Sequence, residues 1–492
     1  MKSRMALIAL TASLAAVPAA QAATVSEKYT TVTRVNGSDP AACNKLGVLK
    51  MGPSTAKNVL VLIPGFLGGS GDFRVIGKRL VPALKNKVQV WGIDRRSQCL
   101  EDTTGFGPAD PVNALGYYIF GNSVGGKKFT APKLGDAGVE AARNWGLSTT
   151  LNDIRAVVLS AKSGGRKVVL GGHSLGGSLT SIYATWDFDG TPGYRDVSGL
   201  VLIDGAARGT FGAQPDPATV ASQIAAVTDT TKLPFSSLIS GIPTYYNGVF
   251  PELAARYAKF APGSNAALQG LLNGFGLGAF TRPTSEGRLT NDSQLGYSFD
   301  RDTAPSFVSL LHMNMGSLKA PATSGAASGW QDGGLTDLKD VKTLFGTEPG
   351  NFVEWYFPSR LSIEVGAATN LTKNALTDSL SLRPWHRAAV NVPLYGFETG
   401  LTCSNAVLGE GNGRPSPSSP SFASWIAANR TTSCSVLTGT KSLQTGSSIP
   451  LSKTTLVADH DQEHLDPLVA RASSNKFQST VTPFLKARFA IR

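Results

Sequence analysis

The sequence has little of what metal sites, membrane spans and nucleic-acid interfaces require. Of its 492 residues only four are cysteine and five histidine, and no Cys-x-x-Cys pair or His-rich run has the spacing of zinc ligands. Beyond the N-terminus no apolar segment reaches the roughly 18 residues that a membrane-spanning helix needs. The formal net charge of +12 is spread over short basic pairs instead of one basic block. These absences argue against a zinc protein, an integral membrane protein and a nucleic-acid-binding protein.

Residues 1–22 have the organisation of a signal peptide. Lys2 and Arg4 precede an apolar stretch, and the small residues Ala20 and Ala22 stand where a signal peptidase cuts. We therefore predict cleavage after this segment and a soluble protein that is secreted to the periplasm or beyond the cell.

An oxidising destination suits the four cysteines as structural disulfides. Four cysteines allow three pairings, and the sequence alone does not choose among them. Proximity along the chain favours Cys403–Cys434, which leaves Cys43–Cys99.

A tight turn around Ser174 carries the strongest chemical signal. Residues 171–178 read Gly-Gly-His-Ser-Leu-Gly-Gly-Ser and follow the apolar run 168–170. Ser174 thus lies in a Gly-x-Ser-x-Gly motif between a strand and a helix. Gly172 and Gly176 lack a Cβ, so strand and helix can approach closely. The hydroxyl is placed above a helix N-terminus, where negative charge is stabilised, and the motif predicts a catalytic nucleophile.

Apolar, β-branched runs alternate with helical patterns in the first half of the chain and predict an α/β sheet with parallel strands. Strands are expected at residues 58–63, 88–93, 167–170, 200–203, 392–397 and 454–458. Between the fourth and fifth of these runs the composition turns to glycine, alanine, serine and aromatic residues. We therefore predict residues 1–22 as a signal peptide, 23–209 and 391–492 as two parts of one core, and 210–390 as an inserted cap.

This organisation resembles the α/β-hydrolase superfamily, and more particularly its secreted bacterial esterase and lipase-like members. The resemblance covers about residues 55–210 and 390–475, and rests on the serine motif and on the segment 91–102. It implies a mostly parallel central sheet with helices on both faces and a large inserted cap. It also implies a nucleophile after the fifth strand and a triad in the order serine, acid, histidine. Such a mechanism requires no metal and no organic cofactor.

The general base is expected to be a histidine after the last strand of the sheet. His460 and His464 both follow the strand at 454–458. His464 is preferred because its His-Leu-Asp-Pro sequence is similar to the superfamily's end-of-loop histidine, with a helix starting at Pro467. The remaining histidines are interpreted as packing residues or as wrongly placed for a triad: His173, His312 and His386.

Two carboxylates compete for the acid of the triad. Glu398 follows the strand at 392–397, which is the usual superfamily site, whereas Asp204 follows the strand at 200–203, a known alternative. The usual position favours Glu398, and Asp204 stays open.

The oxyanion of an acyl-transfer reaction needs backbone N–H groups aimed at it. One is expected from Leu175, directly after the nucleophile. By resemblance, the main chain of Phe66 or Leu67 supplies another, in a glycine-rich turn at the end of a strand.

These residues predict a secreted serine esterase or lipase-like enzyme that cleaves carboxylic esters through an acyl-enzyme on Ser174. Its partner is expected to be a small-molecule or lipid ester, and the basic charge allows peripheral contact with lipid or a cell surface. A serine peptidase or acyltransferase on the same fold is one alternative, and a non-catalytic exported binding protein is another. Aromatic cap residues either line an acyl pocket or form the cap's own core: Tyr245, Tyr246, Phe250, Phe275 and Phe280.

Overall fold

A computed structural model describes residues 24–37, 39–207, 214–238, 241–275, 277–304, 310–400 and 435–492. The predicted signal peptide lies outside these residues, as do Cys403 and Cys434. Within the described ranges, no helix combines the length and the apolar character that crossing a membrane demands.

Eight strands form one central sheet. They are β1 Glu27–Thr33, β2 Lys45–Met51, β3 Asn58–Ile63, β4 Val88–Ile93, β5 Lys167–His173, β6 Leu200–Ile203, β7 Leu394–Thr399 and β8 Thr454–Asp459. Their order in the sheet is β1-β2-β4-β3-β5-β6-β7-β8. β2 is antiparallel to β1 and β4, and every other neighbouring pair is parallel. The expected mostly parallel α/β sheet is therefore confirmed.

β5 ends three residues later than predicted, at His173, and β8 one residue later, at Asp459. Larger differences concern β7 and the first two strands. β7 begins and ends two residues later than expected, which places Glu398 inside the strand. β1 and β2 were not expected, because β1 is half-exposed with alternating polar residues and β2 is interrupted by Gly47 and Lys50. An apolar run is a strong signal only for strands that are buried on both faces, such as β3 and β4.

The helices cover the sheet on both faces. They are α1 Arg74–Ala83, α2 Pro111–Ile119, α3 Ala137–Ala142, α4 Leu147–Lys162, α5 Leu175–Thr185, α6 Pro217–Thr228, α7 Tyr246–Phe260, α8 Gln269–Gly274, α9 Asn291–Phe299, α10 Leu338–Phe345, α11 Ser359–Ala367, α12 Ala375–Ser379, α13 Ser435–Thr445, α14 Asp466–Val469 and α15 Lys476–Phe489. From β3 the chain passes through α1 to β4, toward the β1 edge of the sheet. It then returns toward the β8 edge, through α4 to β5 and through α5 to β6. Because such crossovers are almost always right-handed, α1 lies on one face and α4 and α5 on the other. α15 packs beside α1.

Between β6 and β7 the described residues add helices α6 to α12 and no strand of the central sheet. Short antiparallel pairs occur there: Phe235–Ser236 with Phe357–Pro358, and Gly316–Lys319 with Gly329–Asp332. One segment of this region returns to the core, where Gly68 and Val353 form an antiparallel bridge.

A disulfide joins Cys43 to Cys99, with 5.0 Å between the two Cα atoms. It ties the turn before β2 to the turn after β4, and it is one of the two pairs that proximity favoured. The other predicted pair falls outside the described residues.

Candidate active site

Ser174 occupies the sharp turn between β5 and α5. Its backbone has φ 55° and ψ −122°, a conformation that costs free energy for a residue with a Cβ. A Cβ built on Gly172 would lie 2.2 Å from the carbonyl oxygen of Gly176, so only glycine allows the strand and helix to pass this closely. The turn presents Ser174 at the carboxyl edge of the sheet, in the way the sequence motif predicts.

His464 and Asp204 meet at the same edge. The Nδ1 atom of His464 lies 2.5 Å from Oδ2 of Asp204, and both side chains are buried. Asp204 directly follows β6, and its carboxylate also accepts hydrogen bonds from the backbone N–H and the hydroxyl of Thr399. Because a carboxylate only accepts, Nδ1 of His464 carries the proton. Nε2 is then the ring nitrogen left to act as a base.

Glu398, which the usual position favoured as the acid, does not partner His464. Its Oε1 atom lies 3.4 Å from Nε2 of His460. Successive side chains of a strand point to opposite faces. Since the Thr399 side chain reaches Asp204, Glu398 points the other way. The geometry therefore favours Asp204 over Glu398 as the partner of His464, and it pairs Glu398 with His460.

A narrow cavity brings Ser174 and His464 together with the turn after β3. Phe66, Leu67 and Gly68 line it beside the serine and the histidine. A Cβ built on Gly65 would lie 3.1 Å from Cβ of Ser174, so this turn runs directly past Ser174. The turn that was predicted to supply one oxyanion N–H group therefore lines the same cavity as Ser174 and His464.

Leu175 is the first residue of α5. The first N–H groups of a helix have no acceptor within the helix, and this one begins one residue after Ser174. Its N–H is therefore in position to stabilise negative charge that develops at the serine.

His173 has a function that sequence reasoning missed. Its ring lies 4.4 Å from the ring of His464, and its Nε2–H donates to the carbonyl oxygen of His464 at 2.8 Å. Burial, followed by the neighbouring His464, lowers the pKa of His173 to about 3. A neutral imidazole thus holds the backbone of His464 in place. The only signal in the sequence was its position next to Ser174.

We expect His173 to make the protein acid-sensitive. The native imidazole takes up no proton until about pH 3, whereas in the unfolded chain it titrates near pH 6.5. Between these values the unfolded state binds more protons, so the free energy of unfolding falls on acidification, by at most about 1.4 kcal/mol per pH unit from this group. His173→Asn lacks this contribution. Urea unfolding should be measured at pH 7, 6, 5 and 4. We expect the wild type to have the larger free energy of unfolding at pH 7, and its advantage over the variant to shrink as the pH falls. A constant difference would contradict it.

A second, apolar cavity adjoins the first within the region between β6 and β7. Leu238 and Leu311 line both cavities. Three of the predicted aromatic residues line the apolar one: Tyr246, Phe250 and Phe280. The other two surround it: Tyr245 packs on Tyr246 with ring centroids 4.3 Å apart, and Phe275 is 46% exposed and lies 6.3 Å from Phe250. The aromatic residues thus form both a core and a cavity wall.

The remaining histidines are His386 and His312. His386 pairs with Asp187 at 2.8 Å. It precedes β7 in the sequence, which is why it was not expected to be the base. His312 is buried, and its carbonyl oxygen accepts from the N–H of Leu465. It therefore contacts the loop that carries His464 through its main chain.

Solved structures that match nearly the whole chain have low sequence identity to it and low TM-scores. A candidate lipase from Sulfolobus solfataricus is 14% identical with a TM-score of 0.45, covering 94% of this chain and 95% of that one. A soluble variant of monoglyceride lipase from Saccharomyces cerevisiae is 11% identical with a TM-score of 0.36, covering 96% and 99%. Epoxide hydrolase A from Mycobacterium thermoresistibile is 13% identical with a TM-score of 0.38, covering 94% and 98%.

No curated protein matches the sequence. A sequence model of the Alpha/beta hydrolase family matches residues 60–338, which is more than half of the 492 residues and includes the turn around Ser174. With the strand order and the carboxyl-edge site described above, the chain belongs to the Alpha/beta hydrolase family.

Proposed function

We propose that the protein is a serine hydrolase that cleaves carboxylic esters, with Ser174 as nucleophile, His464 as base and Asp204 as acid. The observation that carries the proposal is the 2.5 Å contact between Nδ1 of His464 and Asp204, at a cavity that Ser174 and His464 both line. An oriented imidazole beside a serine on a strained turn is the arrangement that activates a hydroxyl.

The reaction follows from these groups. Nε2 of His464 takes the proton of Ser174 as its Oγ attacks the ester carbonyl, and the N–H groups of Leu175 and of the turn after β3 stabilise the oxyanion. Asp204 stabilises the imidazolium that forms. The imidazolium gives its proton to the leaving alkoxide, which departs as the alcohol and leaves an acyl-enzyme. Water, deprotonated by His464, then attacks the acyl carbon and releases the acid and the free serine.

The apolar cavity supports an ester with an apolar acyl chain. It adjoins the serine cavity at Leu238 and Leu311 and is lined mainly by leucine and aromatic side chains. Binding an alkyl chain to such a surface is favourable, because it removes apolar surface from water. We therefore assign the acyl group of the substrate to this cavity.

We also propose that the protein acts outside the cytoplasm. The signal-peptide pattern of residues 1–22 and the Cys43–Cys99 disulfide both support an exported protein, because disulfides persist in oxidising compartments.

A series of p-nitrophenyl esters from acetate to palmitate tests this function. We expect kcat/KM to rise with acyl length up to the capacity of the apolar cavity. Ala254 on α7 lines that cavity, and Ala254→Phe should fill it. The variant should lose about tenfold or more in kcat/KM for octanoate, while acetate hydrolysis stays close to wild type.

The matched control is Ala225→Phe, on the exposed face of helix α6. It should leave the whole series unchanged. Absence of ester turnover, or faster cleavage of the matching p-nitroanilide, would refute the proposed function. Equal loss on acetate and octanoate in Ala254→Phe would refute only the assignment of the acyl group.

A further inference from the structure

A buried arginine lies behind the turn that passes Ser174. Arg95 lies two residues after the end of β4 and is only 8% exposed. β4 is parallel to β3, so both strands deliver their following residues to the carboxyl edge of the sheet. This position brings a guanidinium next to the turn after β3.

The guanidinium binds three carbonyl groups of that turn. Nη2 donates to the carbonyl oxygens of Pro64 at 2.8 Å and Gly65 at 2.7 Å, and Nη1 donates to that of Gly68 at 3.0 Å. A guanidinium offers five donors in a rigid plane. It can therefore hold several peptide groups of one turn at fixed orientations.

These contacts set the direction of an N–H group. In a trans peptide the C=O of one residue and the N–H of the next lie on opposite edges of the same plane. The carbonyl of Gly65 faces Arg95, so the N–H of Phe66 faces away from Arg95. A Cβ built on Gly65 would lie 3.1 Å from Cβ of Ser174, and Phe66 lines the same cavity as Ser174. On these grounds the Phe66 N–H is assigned to the side of the turn that Ser174 occupies.

The cap region secures the arginine from its other side. Oε2 of Glu354 lies 2.6 Å from Nη1 of Arg95, and both side chains are buried. The N–H of Glu354 donates to the carbonyl of Leu67 at 2.7 Å, next to the bridge between Gly68 and Val353. Glu354 thus neutralises the guanidinium and joins the same turn.

We infer that Arg95 is the positioning residue of the oxyanion site, acting through the Gly65–Phe66 peptide and held in place by Glu354. The inference rests on the proposed ester hydrolysis. Arg95 touches neither the nucleophile nor the base. Its effect is confined to the transition state, because the Phe66 N–H is needed where the oxyanion develops and contributes little to binding the ground-state ester.

The test is Arg95→Lys, assayed with p-nitrophenyl butyrate. Lysine keeps the charge beside Glu354 but cannot bind three carbonyls in a planar array. We expect kcat to fall about 100-fold, the effect of losing one oxyanion donor, with KM close to wild type. In Arg95→Ala, added guanidinium ion should restore part of kcat, and methylammonium at the same concentration should not.

Arg96→Ala is the matched control, because Arg96 is an equally buried neighbour that binds Asp153 and Asp39 away from the turn. It should lower Tm while leaving kcat of the folded fraction near wild type. If the Arg95 variants do not fold, Glu354→Gln tests the inference in their place. We expect its kcat to fall while its KM stays unchanged. A folded Arg95→Lys with wild-type kcat, or a Glu354→Gln without effect, overturns the inference. A wild-type protein without ester turnover instead refutes the proposed function.

Discussion

Replacing Ser174 with alanine is expected to lower kcat for p-nitrophenyl ester hydrolysis by about 10⁶-fold, the loss found when the nucleophile of a serine hydrolase is removed. Ser174 is only 6% exposed, and alanine retains its Cβ, so Tm should change little. A fluorophosphonate probe reports the same chemistry directly. It should add one phosphonyl group to the wild type, on the peptide containing Ser174, and none to the variant.

Ser178 provides the control for this experiment. It lies four residues further along α5, is fully buried, and its Oγ has no hydrogen-bond partner. Ser178→Ala should keep both the rate and the label. Labelling of the Ser174→Ala protein, or a rate within tenfold of wild type, would reject Ser174 as the nucleophile.

Replacing Asp204 with asparagine should lower kcat by about 10⁴-fold. The amide keeps the shape of the side chain but presents an N–H to His464 or rotates away, so Nδ1 of His464 loses the acceptor that fixes its tautomer. Initial rates on one ester, with Tm measured in parallel, separate this loss from unfolding.

Glu398→Gln is the contrasting variant. Glu398 is as buried as Asp204, but it contacts His460 instead of His464. Its replacement should leave kcat near wild type. A larger loss from Glu398→Gln than from Asp204→Asn would restore Glu398 as the acid and contradict the geometry.

Short sequence patterns predicted those parts of the site whose geometry depends only on neighbouring residues. Ser174 needs a strand, a reversal and a helix within a few residues, and each has a signature in sequence. The parallel strands β3, β4, β5 and β6 were equally predictable, because burial on both faces demands apolar runs. His464 was predicted as the base from its place after the final strand, and the structure puts it in the same cavity as Ser174.

The acid could not be chosen in the same way. The choice between Glu398 and Asp204 depends on where β7 ends and on which face each side chain takes. A shift of two residues in β7 put Glu398 inside the strand. The alternation of side chains then turned it away from His464. Strand ends are the least certain feature of a sequence-based prediction.

The contacts of Arg95 and His173 were beyond sequence reasoning for a different reason. The residues that Arg95 contacts are far from it in sequence: those of the turn after β3 are 27 to 31 positions away, and Glu354 is 259 positions away. His173 meets His464 across 291. Such pairs are created by the order of strands in the sheet, and no periodicity within a short window encodes them.

The bridge between Gly68 and Val353 limits which parts of the chain between β6 and β7 can be replaced. The region between β6 and β7 cannot simply be exchanged at its two ends, because residues 353 and 354 bind the main chain of the turn after β3. A chimera that grafts a foreign insertion between β6 and β7 would need to bring residues 351–354 or a matched replacement for them. New substrate range can evolve elsewhere in the insertion, while this short stretch must coevolve with the sheet it touches.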